Sequence, residues 1–278
     1  MQKGGLWERN EYKQGDIDQP LVTIVTVTFN AERHLRQTLQ SILNQTYYNI
    51  ELIVIDGGST DTTLDIITSF EDRIDYWQSE PDTGIYDAMN KGLSLARGRW
   101  IGFKNADDWY VGDAIETLIR SAQAVEADVF YGNSYSVIQE DPLQVSPFFT
   151  DHRSLGGNPG IDHRSSFVKT ELHKRIKFNL GYRLAADFDV FWRLKKADAQ
   201  FYHMERFIAY KRYGGASDGA EILKEGFQIN RMNAGILFAT YSRIRSLIQY
   251  YSWIIRNWLL LRILGTDRYH RFKGRKLK

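Results

Sequence analysis

The acids of this chain gather where a sheet could use them. Three runs of β-branched and apolar residues end in carboxylates: Ile50–Ile55 ends at Asp56, Ile74–Gln78 is followed by Asp82, and Trp100–Phe103 by Asp107-Asp108. Asn30 follows a further run, Leu21–Phe29. In open α/β sheets, ligands bind beyond the carboxyl ends of the strands. Carboxylates gathered there offer hard oxygen ligands to a divalent cation. A nucleoside diphosphate is its natural companion, because the metal neutralises the phosphates. Each Asp also has a plainer reading as a cap or turn residue. That reading is preferred for Asp61, as a helix N-cap. It is weaker for Asp107-Asp108, because adjacent acids at the end of a buried strand repel one another unless something holds them.

The elements that must position these residues follow from periodicity. Helical spacing predicts helices over Ala31–Asn44, capped by Asn30, over about Asp61–Phe70, and over Gly84–Arg97, with Gly98 as a C-cap. Strands alternating with helices imply an α/β chain with a mainly parallel central sheet flanked by helices. Farther on, Asp113–Ala124 reads as a helix, Asp128–Tyr135 as a strand, Pro142–Gly160 as a loop, and Ser165–Val168 as a short strand. Leu184–Lys196 reads as a helix and Phe201–Tyr213 as extended; Gly214-Gly215 breaks the chain. Helical patterns then cover Glu221–Tyr241 and Ile244–Leu264. This divides the chain into an N-terminal extension (1–20), a main domain (21–217), and C-terminal helices with a basic tail (218–278).

Composition removes many alternatives. A chain of 278 residues that is 43% hydrophobic can bury a sizeable core. It has no cysteine, which excludes disulfides, thiolate metal sites and cysteine nucleophiles. Met1–Pro20 lacks the apolar core of a signal peptide, and no uncharged apolar run is long enough for a simple membrane span. The motifs G-x-x-x-x-G-K-[ST], G-x-G-x-x-G, H-E-x-x-H and G-x-S-x-G are absent. The histidines at 34, 152, 163, 173, 203 and 270 are scattered, so a His-rich metal site is not expected.

The segments TIVTVTFNAERHLRQTLQSILNQTY, ELIVIDGGSTDTT, SEPDTGIYDAMNKGLSLARGRWIGFKNADDWY and LAADFDVFWRL occur in this order. Together they resemble the inverting family 2 glycosyltransferases of GT-A fold, over about Leu21–Ser217. The SEPDTGIYDAMNKG segment is most similar to short bacterial enzymes of exopolysaccharide, capsule and O-antigen assembly, such as those of the colanic acid pathway. The resemblance implies a nucleotide-sugar donor, contacted at Thr28 and Asn30. It places Asp56 at the base, usually uracil, and Asp82 to Asp87 along the donor pocket. It places Asp107 at the ribose or sugar and Asp108 on a divalent metal, Mn²⁺ or Mg²⁺. Asp187 matches the catalytic base, and His163 and Arg164 lie in a segment that faces the acceptor. Lys104 departs from the family, which has an apolar residue there, and could add a cation near the phosphates. Asp189 is read as structural. Trp109, Tyr110 and Trp192 could stack on a sugar ring, although packing is the commoner role.

The net charge of +2 hides an asymmetry. Residues 243–278 hold 10 of the 36 Lys+Arg and one of the 34 acids, leaving 26 against 33 in the rest of the chain. The helical pattern Ile244–Leu264 sets Leu247, Ile248, Tyr251, Ile254, Ile255 and Trp258 among arginines, and six cations follow it in Arg268–Lys278. An apolar face beside such a basic end suits an anionic membrane interface. That agrees with the subgroup's usual acceptor, a saccharide on a polyprenyl diphosphate. It also implies a peripheral place on the inner face of the cytoplasmic membrane. The acidic body argues against nucleic acid. Two other readings are a sugar-nucleotide nucleotidyltransferase, whose Gly- and Arg-rich loop after the first strand is absent, and a non-catalytic binding module that uses the basic tail.

Overall fold

The apolar runs become parallel strands because helices cover both faces of the sheet. A computed structural model describes residues 1–139, 143–154, 160–212 and 221–248, with 251, 252, 255 and 262. After an edge strand β1 (Gln2–Gly4), the strands β2 (Val22–Thr28), β3 (Ile50–Asp56), β4 (Tyr76–Ser79) and β5 (Trp100–Asn105) alternate with α1 (Leu35–Leu43), α2 (Thr63–Thr68) and α3 (Ile85–Leu95). β2 lies between β3 and β5, and β3 pairs with β4, all parallel. The second half supplies β6 (Trp109–Tyr110), α4 (Ala114–Ala124), β7 (Val129–Gln139), β8 (Gln144–Phe148), β9 (Ser166–Lys169), α5 (Thr170–Arg175), α6 (Ala186–Lys196), β10 (Phe201–Arg212) and α7 (Ile222–Ala234). Residues 236–248 form a last helix, α8. The sheet runs β1-β4-β3-β2-β5-β9-β7-β10-β6, with β8 added to β7. β9 joins the halves, antiparallel to both β5 and β7.

The strands explain their own burial. Val22 and Ile24 of β2 with Leu52 and Val54 of β3 face Leu35, Leu39 and Ile42 of α1. The alternate residues Val25, Val27, Ile53 and Ile55 face Met89 and Leu93 of α3, in a cluster that continues into Val190, Phe191 and Leu194 of α6. Strands buried on both faces read as continuous apolar runs. The register then aligns the strand ends: Thr28 stands beside Asp56, Asp56 beside Ser79, and Val27 beside Asn105. Order reverses at β2, which makes its carboxyl end a topological switch point.

Several expectations are corrected. Asn30 does not cap α1. Residues 31–34 make a turn, α1 starts at Leu35, and Asn30 adopts a left-handed conformation with φ 47°. Gly98 is not a cap either: α3 ends at Leu95, and Gly98 donates its N–H to the Thr23 hydroxyl at 2.9 Å. The stretch 142–160 is not all loop, since Gln144–Phe148 pairs antiparallel with β7. The single helix expected over Glu221–Tyr241 is two, broken at Gly235 with φ 86°, which glycine adopts without strain. The N-terminal residues pack on the sheet: β1 pairs with β4, Trp7 stacks on Tyr76, and Lys13 reaches the buried Asp75 at 2.7 Å. The C-terminal region is also tied in, by Trp192 Nε1 donating to Asn230 Oδ1 and Asn230 Nδ2 to Ser242 Oγ. The boundary at 217/218, the Gly214-Gly215 break, most of Ile244–Leu264 and the tail Arg268–Lys278 lie outside the described residues.

Gly98 yields a test. A Cβ there would lie 2.5 Å from the Thr23 nitrogen and 2.8 Å from the Leu21 carbonyl oxygen, both backbone atoms of β2 and its lead-in. Gly→Ala gains about 0.4–1 kcal/mol where the backbone tolerates it, but overpacking costs about 1–3 kcal/mol. Gly98→Ala should therefore lower stability in urea unfolding; an unchanged or raised midpoint would contradict the close approach.

Candidate active site

Each strand end carries a polar residue, and the structure gives these residues unequal tasks. Asp56 is fully buried, and its carboxylate is saturated. Oδ2 accepts from Ser59 N–H at 2.9 Å, Gly58 N–H at 3.2 Å and Ser79 Oγ at 2.6 Å; Oδ1 accepts from Ser59 Oγ at 2.5 Å. It shapes the 57–59 turn. Asn30 completes that loop by accepting the Thr60 N–H at 2.9 Å and donating its own N–H to Ser59 Oγ at 2.8 Å. Thr28 is buried, with a hydroxyl that has no partner. Asp61 is not the N-cap of α2, which is Thr62; it stands one residue earlier, where its carboxylate takes the Thr63 N–H at 3.0 Å and the Glu32 N–H at 3.2 Å. Asp82 accepts the Gly84 N–H at 2.8 Å, and burial raises its pKa. Asp87, in the first turn of α3, takes the Thr83 N–H at 3.0 Å.

At the end of β5, Asp107 and Asp108 diverge. Asp107 lines a cavity of about 330 Å³ together with Asn105, Tyr86, His163, Arg164, Arg183, Asp187, Lys211 and Arg212. Asp108 is buried behind it. Its Oδ1 accepts the Arg212 N–H at 3.2 Å, while Oδ2 has no hydrogen-bond partner and lies 3.8 Å from Arg164 Nε. Burial pushes the Asp108 pKa up to about 6 against the pull of Arg164. Lys104 does not reach a phosphate position, as its sequence place suggested. It is fully buried, donates to the Arg164 carbonyl at 2.6 Å, and sits 3.6 Å from the centre of the Tyr110 ring; burial lowers its pKa to about 7.

Asp187 meets His163 in the same cavity, although 24 residues separate them. His163 Nδ1 lies 2.6 Å from Asp187 Oδ2. Oδ1 accepts from the Tyr86 hydroxyl at 3.0 Å and from the Phe188 N–H at 2.9 Å. Burial would raise the Asp187 pKa, but His163, the Phe188 N–H and Arg164 outweigh it, and the net shift is downward. Burial, reinforced by the Asp187 charge, holds Tyr86 well above its usual pKa, so it stays a donor. Arg164 bonds Asp162 through Nε at 2.7 Å, and burial does not prevent Asp162 from falling well below the carboxylate range beside it. Asp189 is held by Arg193 at 2.7 Å, the structural role expected of it. The three aromatics are packed: Trp109 on Tyr210, Tyr110 on Phe167, and Trp192 against Phe238.

Sequence reasoning missed Tyr86, Asp162, Arg183 and the pair Lys211-Arg212. Only Tyr86 had a signal, inside SEPDTGIYDAMNKG; a basic pair closing an extended run was the other available hint. The cavity therefore sets two carboxylates, Asp107 and Asp187, among the cations Arg164, Arg183, Lys211 and Arg212. Such walls suit a polyanion that carries a group to be transferred. Among the described residues, no three His, Cys, Asp or Glu side chains are grouped to hold a metal ion by themselves.

Comparison with known proteins agrees with this arrangement. The model of glycosyl transferase family 2 matches residues 23–188, from β2 through Asp187. The PGL/p-HBAD biosynthesis glycosyltransferase of Mycobacterium bovis is 33% identical over 211 residues, which cover 72% of this chain and 80% of that one. Glycosyltransferase GlyA of Streptococcus pneumoniae is 38% identical over 125 residues, 44% of this chain but only 18% of that much longer protein. Among solved structures, S. aureus TarS 1–349 with UDP-GlcNAc matches with TM-score 0.63 at 18% identity, over 77% of this chain and 65% of that 1–349 chain. The mannosyltransferase PcManGT of Pyrobaculum calidifontis, with GDP-Man and Mn²⁺, matches with TM-score 0.59 at 14% identity, over 96% of this chain and 87% of that one. The mixed sheet with parallel central strands is the GT-A fold of these neighbours. By its sequence and its fold, this chain belongs to glycosyl transferase family 2.

Proposed function

We propose that the chain is an inverting sugar transferase that takes its donor as a nucleoside diphosphate sugar, with UDP as the leaving nucleotide. The observation that carries this reading is the shared cavity, which sets the Asp187–His163 pair and Asp107 within one cationic wall. Neighbours of the same fold hold UDP-GlcNAc and GDP-Man, which supports a donor of this class. Thr28, Asn30, Asp56, Asp82 and Asp87 form or flank the donor end, some by shaping its loops. In this mechanism Asp187 takes the proton of the acceptor hydroxyl as that oxygen attacks the anomeric carbon, and the diphosphate leaves from the opposite face. Tyr86 and His163 fix the carboxylate's orientation. Arg164, Arg183, Lys211 and Arg212 stabilise the charge that grows on the leaving diphosphate.

A divalent cation, Mn²⁺ or Mg²⁺, fits the end of β5. Asp107 stands on the cavity wall, and both Asp108 Oδ2 and Asn105 Oδ1 are buried without partners. Oxygen donors of this kind suit a hard cation, with phosphate oxygens completing its shell. Such an ion would add Lewis-acid stabilisation of the leaving group. His163 and Arg164 line the same cavity, and the acceptor would approach along them. The acceptor is a saccharide on a lipid diphosphate, at the inner face of a membrane. Support for that comes from α8 and its continuation, where Leu237, Tyr241, Ile244, Ile248, Tyr251 and Ile255 are all exposed, beside exposed Arg243 and Arg245. Their spacing of three and four residues is one helical stripe. No helix among the described residues is long and apolar enough to cross a membrane.

Four outcomes test this function. In thermal-shift titrations with UDP, GDP, dTDP and CMP, one diphosphate should stabilise the protein only when Mn²⁺ or Mg²⁺ is present. At 100 times its dissociation constant the gain is about 2.7 kcal/mol, and Asp108→Ala should abolish it; no shift with any nucleotide would remove the donor assignment. Asp187→Asn should leave nucleotide binding intact and lower kcat by about 10²-fold or more, whereas activity within twofold of wild type would rule Asp187 out as base. Its lowered pKa keeps Asp187 ionised at neutral pH, and the acid loss of activity that it controls should lie below the ordinary carboxylate range. Deleting residues 243–278 should release the protein from vesicles containing anionic lipid; unchanged cosedimentation would refute membrane contact.

A further inference from the structure

Helix α6 carries Asp187 in its first turn but has no capping side chain of its own, since its N-cap is Ala185. A helix start leaves four backbone N–H groups without partners. Asp187 reaches one of them: its Oδ1 takes the N–H of Phe188, besides the Tyr86 hydroxyl. The N-cap N–H and the two residues that lead into it are held instead from another part of the chain. Glu225, on α7, accepts the Arg183 N–H through Oε1 at 2.9 Å, and the Leu184 and Ala185 N–H groups through Oε2, both at 2.9 Å. A carboxylate is favoured at this end by the helix dipole, and charge-assisted bonds of this kind are about twice as strong as neutral ones. The three donors lead directly into Asp187, and Arg183 and Leu184 also line its cavity.

We propose that Glu225 is a positioning residue for Asp187: a carboxylate from the C-terminal helices that fixes the strand of chain entering α6, and through it the orientation of the base. This rests on the reading of Asp187 as the base. Glu225 lines a neighbouring cavity of about 520 Å³, together with Tyr86, Arg183, Leu184 and Lys224. Glu225 makes its hydrogen bonds to residues 183–185 and none to His163, Tyr86 or Phe188, the groups that hold Asp187 directly. A glutamine in its place keeps one acceptor oxygen but loses the charge and the second acceptor. An aspartate keeps the carboxylate on a stem one carbon shorter.

The test combines Glu225→Gln, Glu225→Asp and Asp187→Asn with the double variant of Gln and Asn. Hydrogen exchange of the peptide spanning 183–187 should quicken in Glu225→Gln, while nucleotide binding, read by thermal shift with UDP or GDP and Mn²⁺, stays within about twofold. For release of the nucleoside diphosphate from its sugar donor, kcat should fall by about 10- to 100-fold with donor KM little changed, and Glu225→Asp should recover part of the loss. In the Asp187→Asn background, Glu225→Gln should cost no further activity, because residues acting as one unit are not additive. Wild-type kcat in Glu225→Gln, or a full additional loss in the double variant, would overturn the positioning role while leaving Asp187 as base. Near-wild-type activity in Asp187→Asn would overturn both.

Discussion

The cavity depends on a buried arginine. Arg164 stands with its guanidinium on Asp162 at 2.7 Å and near Asp108 at 3.8 Å, and its carbonyl accepts a hydrogen bond from the fully buried Lys104. Two carboxylates and two cations buried together would each face a desolvation penalty of several kcal/mol alone. Together they satisfy most of one another, and the geometry that does so is narrow. Arg164 is anchored by Asp162, which also accepts its N–H and so forms the turn that precedes β9. That turn presents His163, and His163 can reach Asp187 only because Arg164 is fixed beside it. The partner groups of Asp162 extend to Ser134 on β7, so the cluster locks β5, β7 and β9 to one another beneath the cavity.

The same logic explains why residues that look alike in sequence do different work. Asp56, Asp107 and Asp187 all lie in or next to regular elements, yet only the latter two line the 330 Å³ cavity. Asp56 has four donors on its two oxygens and makes the loop after β3 rigid. A carboxylate so fully bonded is a brace, and its place beside a ligand depends on the loop that it shapes. Asp108 is the opposite case. One of its oxygens has no hydrogen bond in a buried site, only Arg164 at 3.8 Å, a costly condition that a cation at the strand end would relieve.

How much of this was legible in the sequence follows from the range of each interaction. The strands β2, β3 and β5 were readable because burial on both faces leaves a continuous apolar run, and their carboxyl ends followed at once. Helix starts were less legible. Asn30 looked like a cap from composition, but its side chain accepts the Thr60 N–H, thirty residues on, and α1 begins later. The motif segments marked Asp187 and His163 separately; nothing in their spacing showed that they touch, because only the tertiary fold brings the turn before β9 onto the first turn of α6. Lys104 was misread for the same reason: a cation next to an acidic motif suggests phosphate, whereas the alternation of β5 turns it inward, onto Tyr110. Glu225 had no local signal at all. Its partners lie about forty residues away, and three backbone N–H groups leave no trace in residue types.

The C-terminal helices are accordingly more than an attachment. Ile229 and Ala239 are buried, Asn230 bonds both Trp192 and Ser242, and Glu225 holds the entry to α6. The chain breaks at Gly235, and from there the exposed apolar residues begin to recur at helical spacing. One face of this region is thus bonded to the helix that carries Asp187, while its other face presents isoleucine, leucine and tyrosine to the surroundings. A surface that binds the outer face must bear on the same α7–α8 unit that steadies Asp187. A transferase whose acceptor is dissolved has no need to join these two tasks in one pair of helices. One of the proposed kind, with its acceptor held in a membrane, would gain from it, because an element that met the lipid surface would also orient the proposed base toward the arriving hydroxyl.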